Sequence, residues 1–293
     1  MIAETTMQNS TTLIAIPQSG LLGAEIRGID LSHPVSGDNF AQILGFLHHH
    51  GVIFFRDQQL TPEQLAAFSA CFGELDVHHM TEHVFPHLPQ VRVLSNVKKD
   101  GKPVGITNGG MHWHSDLSYK PQPALVTLLY AIECPPQGAD TQFADMSAAW
   151  AALPEQKQRR LRSLRAVHDR NYRYSALYPN RPPLTAEQIS KVPPVEHPLV
   201  RLHPVTGRPA LFVAKDVVSH IVGMPDHESR ALIDELESLA TQPRFVYSHK
   251  WQAGDVLVWD NRCTLHRATP YDPAFRRTLY RTQVRGSVPV PAL

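Results

Sequence analysis

The chain has 293 residues, of which 42% are hydrophobic, and its formal net charge at pH 7 is +1. This composition can supply the core of one large β-rich domain or of two smaller ones. Because the lysines and arginines are dispersed and nearly balanced by acidic residues, charge gives no indication of a nucleic-acid partner or a membrane-surface partner.

Three helices are predicted from capping residues and apolar periodicity. The first covers residues 38–50 and stops at Gly51. The second starts at a capping box, residues 61–64, with proline at the first helical position, and closes at Gly73. The third covers residues 226–241, where apolar side chains again recur at helical spacing.

Short runs rich in β-branched and aromatic residues predict strands between and beyond these helices. They cover residues 51–55, 91–94, 124–132, 209–213, 244–247, 255–259 and 276–284. Most of the 25 prolines fall between such runs, where they mark turns and loops. The pattern therefore favours a mainly β fold with flanking helices.

His114, Asp116 and the distant His266 form the most informative pattern in the chain. Two imidazoles and one carboxylate make a facial triad, which suits non-haem Fe(II) and leaves coordination positions open. Side chains at i and i+2 share a face only on extended backbone, so residues 114–116 are predicted to be a strand or a strand end. His112 would share that face and could compete as a ligand. A metal site assembled from distant short strands favours a double-sheet jelly roll of the cupin kind.

The strand predicted at residues 276–284 carries arginines beyond the turn-rich loop that follows His266. Alternation places Arg277, Leu279 and Arg281 on one face. A guanidinium pairs bidentately with carboxylate, which suits a dicarboxylate cosubstrate. Arg281 lies about 13 Å beyond Arg277 at about 3.3 Å per residue, too far for both to grip one carboxylate in the same way. Arg276 is interpreted as solvated.

Together these residues resemble the taurine dioxygenase and chlorophenoxyacetate dioxygenase (TauD/TfdA) family of Fe(II)/2-oxoglutarate-dependent oxygenases. The resemblance runs from residue 23 to Arg281 and is most specific at residues 113–116, 136–141 and 259–262. It implies the double-stranded β-helix, or jelly roll, fold. It also implies that His114, Asp116 and His266 are the iron ligands.

The resemblance also implies roles for residues around the metal. By position, Thr141 and Arg277 match the residues that hold the distal carboxylate of 2-oxoglutarate. Trp251 matches an aromatic residue of the same pocket. Arg281 matches the arginine that receives an anionic group of the substrate or helps with the cosubstrate.

Three positions bear on the substrate. His78 matches a substrate-binding histidine of the family. Gly110 stands where a taurine dioxygenase has asparagine, and Thr81 stands where it has tyrosine. Because two of the residues that would contact taurine are replaced, the resemblance does not extend to taurine as the substrate.

The implied reaction is hydroxylation of a small anionic molecule with O2 and 2-oxoglutarate, releasing succinate and CO2. Hydroxylation next to a heteroatom would lead to cleavage. Two alternatives stay open from the residues alone: a zinc-dependent hydrolase using the same triad, and a non-enzymatic cupin-like binding module.

Residues 1–293 are expected to form one domain, in which the polar stretch 168–194 is a lid or insertion. Three cysteines without C-x-x-C spacing favour a reducing compartment. The first residues lack the regions of a signal peptide, and no apolar run is long enough to span a bilayer. We therefore expect a cytoplasmic protein with no membrane partner. Whether it forms a homo-oligomer is left open.

Overall fold

The computed structural model describes residues 12–18, 20–77, 83–107, 109–179 and 182–293. Its helices are α1 (Gly37–His50), α2 (Pro62–Ala70), α3 (Met146–Ala151), α4 (Glu155–Arg162), α5 (Tyr174–Leu177), α6 (Ala186–Ser190) and α7 (Asp226–Ala240), with a 3-10 turn at Pro243–Phe245. Its strands are β1 (Ile14–Pro17), β2 (Ala24–Arg27), β3 (Val52–Phe55), β4 (Val84–Phe85), β5 (Leu88–Ser95), β6 (Lys98–Lys99), β7 (Lys102–Pro103), β8 (Ala124–Glu133), β9 (Thr141–Asp145), β10 (Arg165–His168), β11 (Val195–Pro198), β12 (Val200–Leu202), β13 (Pro209–Leu211), β14 (Val218–Ile221), β15 (Val246–His249), β16 (Val256–Asp260), β17 (Thr264–Ala268), β18 (Thr278–Arg285) and β19 (Val290–Pro291). Within these residues, none of the helices has the length and apolar character needed to cross a membrane.

The three predicted helices are present as α1, α2 and α7. The side chain of Ser36 caps α1, and Gly51 ends it with φ 66°, a conformation that glycine adopts without strain. The predicted capping box opens α2. Helix α2 ends at Ala70 rather than at Gly73, because residues 71–73 donate to carbonyls three residues back and tighten into a 3-10 turn.

An eight-stranded sheet forms the larger layer, in the order β1-β2-β3-β16-β8-β18-β5-β4. The side chains of strand β16 show that this sheet separates two hydrophobic cores. Its Val256 and Val258 pack toward α1 and α2, while Leu257 and Trp259 point to the opposite face. This period-2 alternation is what a strand covered on both faces requires.

A three-stranded sheet, β15-β9-β17, faces the larger sheet. Phe143 of β9 lies in a buried cluster with Phe54, Leu129 and Trp259 of the larger sheet. Two mainly antiparallel sheets that close on a shared core are the jelly roll predicted from the sequence.

A third core lies on the outer side of β9 and β17. Met146, Trp150, Leu161, Leu211 and Ile233 belong to it, and they bring α3, α4 and α7 against the small sheets β11-β10-β14 and β13-β12-β19.

Two predicted strands differ from the structure in this region. The run at 209–213 is a strand only as far as Leu211. The run at 244–247 was predicted too early: the 3-10 turn beginning at Pro243 occupies its start, because proline fixes φ near the helical value, and β15 begins at Val246.

Candidate metal centre and its cavity

The two ends of the sequence pattern meet between the two sheets. His266 lies on β17, and His114 forms a β-bridge with it outside the named strands. The expectation of a strand end at residues 114–116 is consistent with this bridge. Asp116 already begins a turn, in which Leu117 has φ 53°.

His114, Asp116 and His266 form a compact group of donor atoms, all within 4.8 Å of one another. The His114 Nε2 atom lies 3.9 Å from Asp116 Oδ1, and the His266 Nε2 atom lies 3.7 Å from Asp116 Oδ2. The group is shielded from solvent, since Asp116 is 4% exposed and His266 is 6% exposed.

The protonation states of the three side chains suit a cation. Burial lowers the pKa of His114 to about 4, and burial likewise lowers the pKa of His266 to about 4. Burial opposes ionisation of Asp116, but His266, Arg281 and His114 outweigh it and hold the Asp116 pKa below its usual value. At neutral pH the site therefore presents two neutral imidazoles and one carboxylate.

The donor set fits a divalent metal such as Fe(II). His114 Nδ1 donates to the carbonyl of His112 at 2.8 Å, so its Nε2 atom carries the lone pair and faces the other two ligands. The nearest cation to the buried Asp116 carboxylate is Arg281, whose Nη1 atom is 4.0 Å away. Because a buried charge is costly without a partner, a bound cation completes this group.

Two polar residues that the sequence did not single out hold Asp116. The Thr127 hydroxyl donates to Asp116 Oδ2 at 2.7 Å, and the Asn261 side chain accepts from the Asp116 backbone N–H at 3.2 Å. Each left a signal in the sequence. Thr127 is the one threonine in the largely apolar run of β8, and Asn261 lies within the family motif at residues 259–262.

Asp260 is held by several hydrogen bonds away from the cavity. It is fully buried and pairs with Arg262, and it accepts from His203 Nε2 at 3.0 Å. Arg262, His203 and the other contacts hold the Asp260 pKa far below its usual value, although burial opposes this. Asp260, His203 and Cys263 also lie close together. In this second cluster the His203 Nε2 and Asp260 Oδ2 atoms are hydrogen-bonded to each other, whereas the donor atoms of the first group are not.

A cavity of about 540 Å³ opens beside the triad. Besides the triad itself, four residues assigned by resemblance line it: Gly110, Thr141, Arg277 and Arg281. Trp251 lies buried behind the wall, where its indole N–H donates to the Thr141 hydroxyl oxygen at 3.0 Å. The structure brings these five positions to one place. His78, with Thr81, lies outside the described residues.

Arg277, which directly precedes β18, and Arg281 within it both line the cavity, with the fully buried Leu279 between them, as the alternation predicted for residues 276–284 requires. Burial lowers the pKa of the Arg277 guanidinium from its ordinary value. Arg92 of β5 stands directly opposite Arg281 in the sheet register and also lines the cavity. Arg92, Arg277 and Arg281 thus place three guanidinium groups along the cavity wall.

Gly110 lies beside the His114 ring rather than beside open space. Its φ is +74°, and a Cβ atom built there would lie 3.2 Å from His114 Cε1. Its carbonyl accepts from the Ala268 N–H at 2.7 Å, which ties the loop to β17. The position is therefore tight for any side chain.

The described part of the stretch 168–194 reaches the cavity. Arg170, Tyr174, Leu177 and Tyr178 line it, three of them in or beside the short helix α5. His112 also lines the cavity. Its ring centroid is 5.1 Å from that of His114, but it is not part of the metal-binding group.

The chain is similar to known proteins over almost its whole length. The model of the taurine catabolism dioxygenase TauD, TfdA family matches residues 15–283. An alpha-ketoglutarate-dependent 2,4-dichlorophenoxyacetate dioxygenase of Cupriavidus pinatubonensis is 36% identical, over 92% of this chain and 96% of that protein. An alpha-ketoglutarate-dependent sulfate ester dioxygenase of Pseudomonas putida is 33% identical, over 94% of this chain and 90% of that protein. Alpha-ketoglutarate is 2-oxoglutarate.

Solved structures are similar over nearly the whole length. A taurine dioxygenase from Burkholderia xenovorans is 34% identical with a TM-score of 0.82, covering 96% of this chain and 92% of that one. AAD-2 in complex with Mn(II) and N-oxalylglycine is 31% identical with a TM-score of 0.83, covering 96% of this chain and 100% of that one.

Proposed function

Because this chain belongs to the taurine catabolism dioxygenase TauD, TfdA family, we propose that His114, Asp116 and His266 hold its iron. The chain is a 2-oxoglutarate-dependent non-haem iron dioxygenase that acts on a small molecule. When bound, Fe(II) supplies the O2 chemistry that couples conversion of 2-oxoglutarate to succinate and CO2 with oxidation of a substrate C–H bond. The single observation that carries the assignment is the buried group of three donors beside the cavity.

Thr141 and Arg277 bind the distal carboxylate of 2-oxoglutarate in this proposal. The direction of one hydrogen bond supports the role of Thr141. Because its oxygen accepts the Trp251 indole N–H, the Thr141 hydroxyl proton is left to donate, which is what a carboxylate needs. The buried Arg277 guanidinium supplies the charge that pairs with it.

The primary substrate is a small anion held near Arg281. Support comes from the cavity itself, where Arg92 lies beside Arg281 and Arg170 lies across the ring of Tyr119, 5.6 Å from its centroid. Relatives named for 2,4-dichlorophenoxyacetate, (S)-phenoxypropionate and sulfate esters also point to anions. Where the oxidised carbon adjoins a heteroatom, the hydroxylated product falls apart and the reaction ends in cleavage.

Three further proposals concern the whole chain. The stretch 168–194 covers the bound substrate, because Arg170, Tyr174 and Tyr178 already form part of the cavity wall. The chain acts as one domain, since ligands far apart in sequence meet in one site. A cytoplasmic location is supported by the three free cysteines, Cys71, Cys134 and Cys263.

Anaerobic titration tests the proposed function. Fe(II) and 2-oxoglutarate added together are expected to give a weak visible charge-transfer band that neither gives alone. Zn(II) in place of Fe(II) gives no band. A zinc-dependent hydrolase or a binding module would show no band and no O2-dependent succinate. A screen of small anions that follows succinate release then identifies the substrate.

A further inference from the structure

Asp116 offers both of its carboxylate oxygens to the metal site. Oδ1 faces His114 Nε2 at 3.9 Å, and Oδ2 faces His266 Nε2 at 3.7 Å. Position alone therefore does not decide whether one oxygen or both would bind a cation. A facial triad works only if it leaves coordination positions open, so a carboxylate that takes two positions would compete with the cosubstrate.

The orientation of Asn261 is fixed by its donors. The backbone N–H of Asp116 and the indole N–H of Trp259 both reach Asn261 Oδ1, at 3.2 Å and 3.1 Å. Neither group can accept a hydrogen bond, so the amide oxygen must face them and the amide nitrogen must point away. That nitrogen lies 2.9 Å from the hydroxyl oxygen of Thr127.

The direction of the Thr127 hydroxyl proton follows from this orientation of Asn261. Its hydroxyl oxygen accepts from Asn261 Nδ2, and its remaining neighbour at hydrogen-bond distance is Asp116 Oδ2, at 2.7 Å. A carboxylate oxygen only accepts, so the Thr127 proton is directed at Oδ2. Thr127 is fully buried, and Asn261 is fully buried too, so water does not compete for these bonds.

We propose that Thr127, oriented by Asn261, is a positioning residue. Its hydrogen bond keeps Asp116 Oδ2 from binding the metal, so that only Oδ1 serves as a ligand. The proposal rests on the proposed function. It assigns to Thr127 the task of keeping open the coordination positions used by 2-oxoglutarate. Arg281 does not occupy Oδ1 with a hydrogen bond of its own, because the Arg281 Nη1 atom is 4.0 Å from Oδ1, beyond hydrogen-bonding distance.

Thr127→Val, which is nearly isosteric, tests the proposal in the full chain. Without the hydroxyl, Oδ2 is free to join the metal, so we expect Mn(II) to bind at least as tightly as in the wild type. The affinity for 2-oxoglutarate, measured anaerobically from the Fe(II) charge-transfer band, is expected to fall about tenfold or more. Thr127→Ser, which keeps a hydroxyl, is expected to recover most of that affinity.

Thr282→Val is the matched control. Thr282 is also a buried threonine, on the neighbouring strand β18, and its hydroxyl lies 2.6 Å from that of Ser69. It faces α2, not the cavity, so its loss is expected to lower thermal stability without changing 2-oxoglutarate affinity.

Three results overturn the proposal: wild-type 2-oxoglutarate affinity in Thr127→Val, loss of Mn(II) binding in that variant, or an equal loss of affinity in Thr282→Val. Should Thr127→Val not fold, Thr127→Ala and Thr127→Ser are compared by the same two titrations. If the wild type itself gives no band with 2-oxoglutarate, the proposed function fails. If the wild type gives the band and Thr127→Val has the same 2-oxoglutarate affinity, the inference about Thr127 fails and the proposed function stands.

Discussion

His114 and His266 are joined through their main chains in both directions. The His266 N–H donates to the His114 carbonyl at 2.8 Å, and the His114 N–H donates to the His266 carbonyl at 3.0 Å. Their rings then lie with centroids 4.2 Å apart. This two-way backbone bridge therefore holds the two imidazoles close together, and ring contacts of His266 with Phe143 and Trp259 also position its imidazole.

Replacing any of His114, Asp116 or His266 with alanine is expected to abolish turnover, because each removes one of three ligands. Mn(II) binding, followed by electron paramagnetic resonance, is expected to weaken in each variant while circular dichroism stays close to the wild type. His112→Ala is the control, since it keeps the backbone carbonyl that holds His114. Near-normal iron-dependent succinate production by His266→Ala would show that the third ligand is misassigned.

Arg277→Ala is expected to weaken 2-oxoglutarate binding by roughly 30-fold to several thousand-fold, since truncating one partner of a buried charge pair costs about 2–5 kcal/mol. Thr141→Val removes one hydrogen bond to a charged group and is expected to cost about 1.5–3 kcal/mol. The KM for 2-oxoglutarate measures both effects. Arg276→Ala is the matched control, because Arg276 is exposed and pairs with Glu133. Equal KM values in Arg277→Ala and the wild type would contradict the assignment.

Arg281→Gln is expected to lose product formation while some 2-oxoglutarate is still decarboxylated without coupling. Neutral esters or amides of an anionic substrate are expected to give no stimulation of succinate release. Arg285→Gln is the control on the same strand, since Arg285 is exposed and pairs with Glu74 at 2.9 Å. The ratio of product to succinate measures coupling. Best turnover with neutral or cationic compounds would count against an anionic substrate.

Gly110→Ala is expected to weaken metal binding without unfolding the protein. The added Cβ atom would meet His114 Cε1 at 3.2 Å, and φ of +74° is unfavourable for alanine. Gly109→Ala is the neighbouring control, where a Cβ atom would meet only the Ile106 side chain at 3.5 Å. Mn(II) affinity is the measurement. An unchanged affinity in Gly110→Ala would mean that the loop moves aside.

The metal-free protein is expected to lose stability on acidification. The pKa values of His114 and His266 are lowered from 6.5 to about 4 in the folded chain. Between these values the unfolded chain binds more protons, so the free energy of unfolding falls as the pH drops through that window. Urea denaturation with chelator at pH 7 and pH 5 measures this, and His266→Gln is expected to show a smaller difference. Identical acid sensitivity in the variant would refute the contribution of His266.

Much of the site could be predicted because residue types and their spacing in the sequence indicate its chemistry. The arginine face of β18 follows from alternation alone, and the triad follows from His114, Asp116 and His266 with the family motifs. The core strands β3, β8 and β16 were predicted nearly at their observed bounds because they are apolar on both faces.

Other parts depend on tertiary contacts that spacing does not reveal. Strands β9 and β17 were not predicted, because their polar residues Thr141, Asp145 and Thr264 mask the strand pattern and are buried by neighbouring elements. Thr127 and Asn261 meet Asp116 only through the pairing of β8 with β16. The sequence around these two residues does not predict that β8 pairs with β16.

The order of the large sheet bears on how the protein is synthesised. Strand β16 lies between β3 and β8, and β18 lies between β8 and β5, so two strands near the end of the chain are inserted between strands made much earlier. The growing polypeptide thus holds β3, β5 and β8 with unpaired edges until β16 and β18 leave the ribosome. Iron has no site until then, because His266 lies between those two strands. Metal capture is therefore expected to follow folding, and premature termination upstream of β16 is expected to yield fragments that aggregate and bind no iron.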